Sequence, residues 1–146
     1  MNRENLFRGK RLDNGEWVYG SLVQMLVDGR IATFICPAEE VGRGNKDVPP
    51  MGILYTLNKD IFLVDPATVG QFTGAIDKNG NKIFEGDIFC PILNRPYFIF
   101  WDKEKAGFAL TNNQGYCLNY YPNNTSEDTI IGNIHDNPEL LKGGEK

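Results

Sequence analysis

The sequence predicts a mainly β protein built of short antiparallel strands, and three observations carry that expectation. Sixteen glycines and eight prolines recur every few residues along the 146-residue chain. Almost no window holds the i, i+3, i+4, i+7 apolar spacing of a long amphipathic helix. Short apolar runs are instead bounded by turn dipeptides, above all Asp-Gly and Asn-Gly, which supply the positive φ angles of tight hairpins. So many short strands expose many edges, so barrel or sandwich closure is expected to hide them.

Glu16 to Val27 (EWVYGSLVQMLV) is the first long strand, preceded by an Asp13-Asn14-Gly15 turn. Asp28-Gly29 then joins it to Arg30 to Cys36 (RIATFIC) as a hairpin. From Pro37 to Gly52 the chain turns polar and turn-rich, with a Pro49-Pro50 pair that cannot donate ladder hydrogen bonds. We read it as a long exposed loop and a candidate binding or oligomer-contact element.

Ile61 to Val64 is a short apolar run closed by Asp65-Pro66, and Val69 to Thr73 is a further strand. Asn79-Gly80 is the clearest turn in the chain. Lys82-Ile83-Phe84 follows it and leads through Glu85-Gly86-Asp87 into the strand Ile88-Phe89-Cys90. Tyr97 to Trp101 is joined through the charged tip Asp102-Lys103-Glu104-Lys105 to Gly107 to Leu110, a second hairpin. After Tyr116 to Tyr121 and a polar Asn123 to Asp128 turn, Thr129 to Ile134 reads as the last strand. One short C-terminal helical turn is expected, with Asn137 as N-cap and Pro138 at the first helical position, where its missing N–H costs nothing.

Composition bounds the function. A chain of this length buries about 70% of its extended surface, so neither a metal nor a disulfide is expected to be needed for folding. Fifteen Lys and Arg against nineteen Asp and Glu give a net charge of -4. That balance weighs against a dedicated nucleic-acid binder, which draws on excess cations. Cys36, Cys90 and Cys117 are far apart with no CxxC spacing. They suggest neither a zinc site nor a disulfide framework, fit a reducing cytoplasm, and read as small buried or half-buried hydrophobes. The charged N-terminus lacks the apolar core of a signal peptide, and no stretch approaches the length of a membrane span. The expectation is a cytoplasmic protein that makes no use of a membrane. Asn123-Asn124-Thr125-Ser126 matches a glycosylation sequon, which has no meaning without secretion.

Few patterns point to chemistry. Glu85 and Asp87 are two apart and would share one face of an extended segment, where two oxygens can meet a cation. The stronger reading is a turn entering a sheet. No serine sits in GxSxG, and no Gly-rich phosphate loop precedes a helix. His135, the one histidine, reads as a turn residue. The basic cluster Arg3, Arg8, Lys10 and Arg11, with Phe7 and Trp17 nearby, is the best local case for nucleic acid, since single strands call for cations and stacking aromatics. Glu4, Asp13 and Glu16 dilute it.

The segment from Val69 to Gly80 (VGQFTGAIDKNG), followed by Lys82 to Ile88 (KIFEGDI), closely resembles the signature of the YopX family of phage and prophage proteins. Phe7 to Lys10 resembles that family's opening segment, Trp101-Asp102 to Gly107-Phe108 its internal hairpin, and Ile130 to Leu141 its closing motif. The least family-like part is Pro37 to Leu57. The resemblance implies a mostly β protein with an SH3-like small barrel, encoded by a phage or integrated element and made in the bacterial cytoplasm. It implies no activity and no catalytic residue. Gln71 and Thr73 are less easily explained by folding than the other signature residues. They alternate with Gly70, Phe72 and Gly74, so an extended segment would be polar on one face and nearly bare on the other, open to a partner's backbone.

One YopX-like domain over residues 1–146 is expected, divisible into an N-terminal β subdomain (1–68) and a barrel-containing part (69–146). The expected function is a non-enzymatic accessory protein that uses no cofactor. It would work by binding, as a homo-oligomer and with an unidentified host or phage protein. The alternative is a small-barrel nucleic-acid adaptor using Arg3, Arg8, Lys10 and Arg11. A third reading, a small enzyme centred on Asp77, Glu85, Asp87 or His135, requires those side chains to share a cleft.

Overall fold

A computed structural model describes residues 4–37, 61–92, 95–119 and 129–142. These are mostly strand, with almost no helix, so the mainly β expectation is correct. Eleven strands are described: β1 Phe7–Lys10, β2 Trp17–Val27, β3 Arg30–Pro37, β4 Phe62–Leu63, β5 Gly70–Ile76, β6 Lys82–Phe84, β7 Asp87–Ile92, β8 Arg95–Asp102, β9 Gly107–Thr111, β10 Cys117–Asn119 and β11 Gly132–Asn133. All pair antiparallel, in the orders β4-β3-β2-β1-β5-β6 and β10-β9-β8-β7-β11.

The chain divides into two compact units, one of residues 5–71 and one of residues 1–4 with 72–146. In the first, Val27 pairs with Arg30, so Asp28-Gly29 is a two-residue loop, and both take positive φ (49° and 77°) as a type I′ turn requires. The ladder continues without a break to Gly20 opposite Pro37. Gly20 is obligatory there, because a Cβ would lie 1.7 Å from the Cys36 carbonyl oxygen. Among the described residues of this unit, Leu6, Ile35, Cys36 and Val64 are the buried apolar side chains. The Asp65 carboxylate accepts the Ala67 amide (3.0 Å) and caps a 3-10 turn over Pro66–Thr68.

In the second unit the core is Ile83, Phe89, Tyr97, Ile99 and Leu110, with Ala75, Phe108, Leu118 and Ile130 packed against it. β5 and β6 form the Asn79-Gly80 hairpin, with Gly80 at φ 83°. The register slips between Phe72 and Ile76, where Gly74 adopts φ 93°, so this glycine serves a bulge. β8 and β9 form the expected second hairpin, closing at Asp102 opposite Gly107.

One sequence expectation is corrected and another is not confirmed. The last strand, expected over Thr129 to Ile134, is only Gly132–Asn133. The Asn133 side-chain oxygen accepts the amides of His135 (3.0 Å) and Asp136 (2.9 Å) and bends the chain out of the ladder. The SH3-like barrel is not found: among the described residues no strand order closes on itself, and β10 and β11 stand at opposite ends of theirs. The C-terminal helical turn is present as a 3-10 turn over Pro138–Lys142. The Asn137 carbonyl starts it by accepting the Leu140 amide (3.1 Å), while the Asn137 side chain reaches back to the Asn133 amide (3.3 Å). The loop read from Pro37 onward lies, beyond Pro37 itself, outside the described residues, as do the sequon and Arg3.

Candidate functional site

The basic cluster falls on β1 and the turn after it. Arg8 and Lys10 are two apart on a strand and so share a face. Their register puts Lys10 opposite Trp17 and Arg8 diagonal to it. Both cations therefore stand over the Trp17 ring, the Arg8 guanidinium 4.7 Å and the Lys10 ammonium 5.5 Å from its centroid. Arg8 is buried at 6% exposure, whereas Lys10 is half-buried. Arg11 stacks on Phe62 at 4.2 Å and pairs through two nitrogens with the Asp13 carboxylate. That hydrogen bond raises the Arg11 pKa and lowers that of Asp13. The cluster is thus real as a neighbourhood, but its charges face aromatic rings and an aspartate of the same unit.

Gln71 is half-buried and lies opposite Phe7, on the β1–β5 ladder. Thr73 is buried, and its hydroxyl donates to the Ile83 carbonyl (2.9 Å) and accepts the Ala75 amide (3.3 Å). The bare face beside them is also filled in part: Gly70 is buried and Phe72 meets Phe84 at 5.6 Å.

The candidate acids go to turns. Asp77 is 3% exposed, and its carboxylate accepts the amides of Asn79 (2.9 Å), Asn81 (2.8 Å) and Ile130 (3.2 Å) and the Asn81 side chain (3.3 Å). Burial pushes its pKa up, but the donors of Asn81, Ile130 and Asn79 outweigh that and hold the carboxyl below its ordinary value. Asp87 is buried, and its carboxylate accepts the Phe84 amide (2.8 Å) across Glu85-Gly86, where Gly86 has φ 87°. The Glu85-Gly86-Asp87 segment is therefore the turn the sequence suggested. His135 sits in the turn shaped by Asn133. No group of three or more His, Cys, Asp or Glu among the described residues is placed to hold a metal ion. Cys36 is buried as expected, but Cys90 and Cys117 are exposed, correcting the reading of all three as buried or half-buried. Cys117 opens β10, at one end of its described sheet, with its sulfur 3.8 Å from the Thr111 hydroxyl.

The feature missed in the sequence is the far end of the β2–β3 hairpin. Met25, Leu26 and Val27 on β2 and Ile31 on β3 are all exposed, Leu26 at 75% and Ile31 at 72%. Successive strand residues face opposite ways, so Leu26 and Ile31 occupy one face while Met25 and Val27 occupy the other. The signal was present: Leu22-Val23-Gln24-Met25-Leu26-Val27 is apolar at both parities, unlike a strand with one wet face.

The family model described as YopX protein matches residues 6–142, nearly the whole chain, and the chain belongs to the YopX family. Among solved structures it is similar to the crystal structure of protein EF1440 from Enterococcus faecalis, with a TM-score of 0.53 and 22% identity, over 94% of this chain and 98% of that one. At that identity the likeness shows the fold alone. No curated protein matches the chain. No helix among the described residues is long and apolar enough to cross a membrane.

Proposed function

We propose that this YopX-family chain is a phage or prophage accessory protein that acts in the bacterial cytoplasm by binding and assembly, without catalysis. Its partners are further copies of itself and a host or phage macromolecule. The observation that supports this reading is the doubly apolar hairpin end, because contiguous exposed apolar surface on a soluble chain marks a place of association. The non-catalytic part draws on Asp77 and Asp87, whose carboxylates already accept backbone amides in their own turns.

The nucleic-acid alternative draws less support, since Arg8 is buried and Arg11 is paired with Asp13. It predicts salt-sensitive binding to DNA or RNA that is lost on replacing Arg8, Lys10 and Arg11. Light scattering over a rising concentration series tests the leading reading. A mass of several copies is expected, and a strict monomer at high concentration overturns the assembly.

A further inference from the structure

We infer that the edge of β2 from Ser21 to Val27 is the surface on which a second copy of this chain pairs, antiparallel about a twofold axis that sets Gln24 opposite Gln24 of the partner subunit. The inference rests on the assembly reading above and names its contact.

The unequal lengths of neighbouring ladders create this edge. β2 pairs with β3 along its whole length, from Gly20 opposite Pro37 to Val27 opposite Arg30. On its other side β1 pairs only with Trp17 to Gly20. Beyond Gly20 no described strand is joined to this side of β2, and alternate residues of the seven, Leu22, Gln24 and Leu26, turn their N–H and C=O groups outward, since Val27 and every second residue before it are bonded to β3. Natural edges are guarded against such pairing by Lys, by Pro, by bulges or by being very short. This one has none of those guards: Trp17 to Val27 (WVYGSLVQMLV) contains no charged residue and no proline, and its ladder with β3 shows no bulge.

Charge and symmetry favour a second copy as occupant. A twofold pairing sets each strand against itself reversed, so any charge in the segment would meet a like charge nearby. Here there is none, and the charges Asp28 and Arg30 lie beyond the end of the edge. Centring on Gln24 uses all seven residues. It sets Leu22 against Leu26 of the partner subunit and Val23 against Met25 of the partner subunit, with the two Gln24 amides facing each other. Moving the axis by one residue sets Gln24 against a leucine and leaves one end of the edge uncovered. The same pairing joins two two-stranded arms into a four-stranded sheet, which gives Leu26 and Ile31 apolar neighbours on one face and Met25 on the other.

Two variants test this in the full chain. In a background of Cys90→Ser and Cys117→Ser, Gln24→Cys places two thiols on directly opposed residues, whose Cα atoms are about 4.5–5.5 Å apart, within disulfide reach. A reducible cross-linked dimer under mild oxidation is expected. Met25→Lys with Leu26→Lys changes two exposed side chains, so its circular dichroism is expected to match the wild type while the concentration for half-assembly rises tenfold or more. Persistence of the assembly in the double lysine variant, or absence of the cross-link, overturns the edge assignment and leaves the assembly reading intact. A strictly monomeric wild type overturns both. Wild-type chain that stays monomeric yet binds phosphatidylcholine vesicles, with binding lost in the double lysine variant, assigns the edge to a lipid surface and overturns the second copy.

Discussion

The carboxylate of Asp77 accepts the backbone amide of Ile130, 53 positions further along the chain, at 3.2 Å. The same carboxylate closes the Asn79-Gly80 turn through the amides of Asn79 and Asn81. One buried side chain thus fastens a local hairpin and the segment that leads into β11. A single long-range pairing of this kind is worth more than a surface ion pair, because a charged acceptor left without donors in the interior bears its full desolvation penalty.

Replacing Asp77 by Asn keeps the shape but points an NH2 group at backbone donors, and should lower stability at pH 7 by about 2 kcal/mol. The pH dependence has a definite sign. The folded-state pKa lies below the ordinary 3.8, so the contribution is whole above that value and is lost as pH falls through the folded pKa. Urea melts at pH 7 and pH 3 check both: the loss of stability on acidification should be smaller in the variant than in the wild type.

Thr73→Val tests whether this signature residue serves the fold. The hydroxyl donates to the Ile83 carbonyl in a buried site, so its removal should cost about 1–2 kcal/mol and leave assembly unchanged. Full stability with lost assembly, read by thermal melting and light scattering together, would assign Thr73 to partner contact instead.

Gly20→Ala should be among the most damaging single changes in the chain. The new Cβ meets the Cys36 carbonyl oxygen and carbon at 1.7 and 2.6 Å, and these are backbone atoms that no rotamer change can move aside. A loss of about 3 kcal/mol is expected from the forced backbone shift. Denaturant unfolding monitored by Trp17 fluorescence measures it.

Arg8→Ala should destabilise by about 2 kcal/mol, because a desolvated cation over Trp17 and the packing of its stem are lost together. Lys10→Ala, at a half-buried position with a longer ring distance, should cost less. Equal and negligible costs in thermal melts would show that the cluster exists for an external ligand.

What the sequence revealed, and what it hid, follows from the range of the forces involved. Asp28-Gly29 was legible because a two-residue turn needs positive φ at both positions, and Asn79-Gly80 because its glycine supplies the positive φ of its turn. Glu85-Gly86-Asp87 was legible as a turn for the same reason. β1 is not legible as a strand: Phe7–Lys10 is short and cationic, and its place depends on the partners that β2 sets opposite it, Tyr19 for Arg8 and Trp17 for Lys10. The shortening of the last strand depends on one side chain, Asn133, choosing turn amides over the ladder. The burial of Arg8 and Thr73 could not be seen in their residue types, which are ordinarily exposed. The hairpin end was written in the apolar run from Leu22 to Val27, but its meaning depends on where β1 stops.

Amide hydrogen exchange over Ser21 to Val27, followed as protein concentration rises, reports on this edge without any substitution. If this edge pairs with a second copy, the outward amides of the segment gain protection as concentration rises, while those of the core strand β8 stay constant. Exchange over Ser21 to Val27 that is fast and independent of concentration, in a sample shown to be assembled, would contradict it.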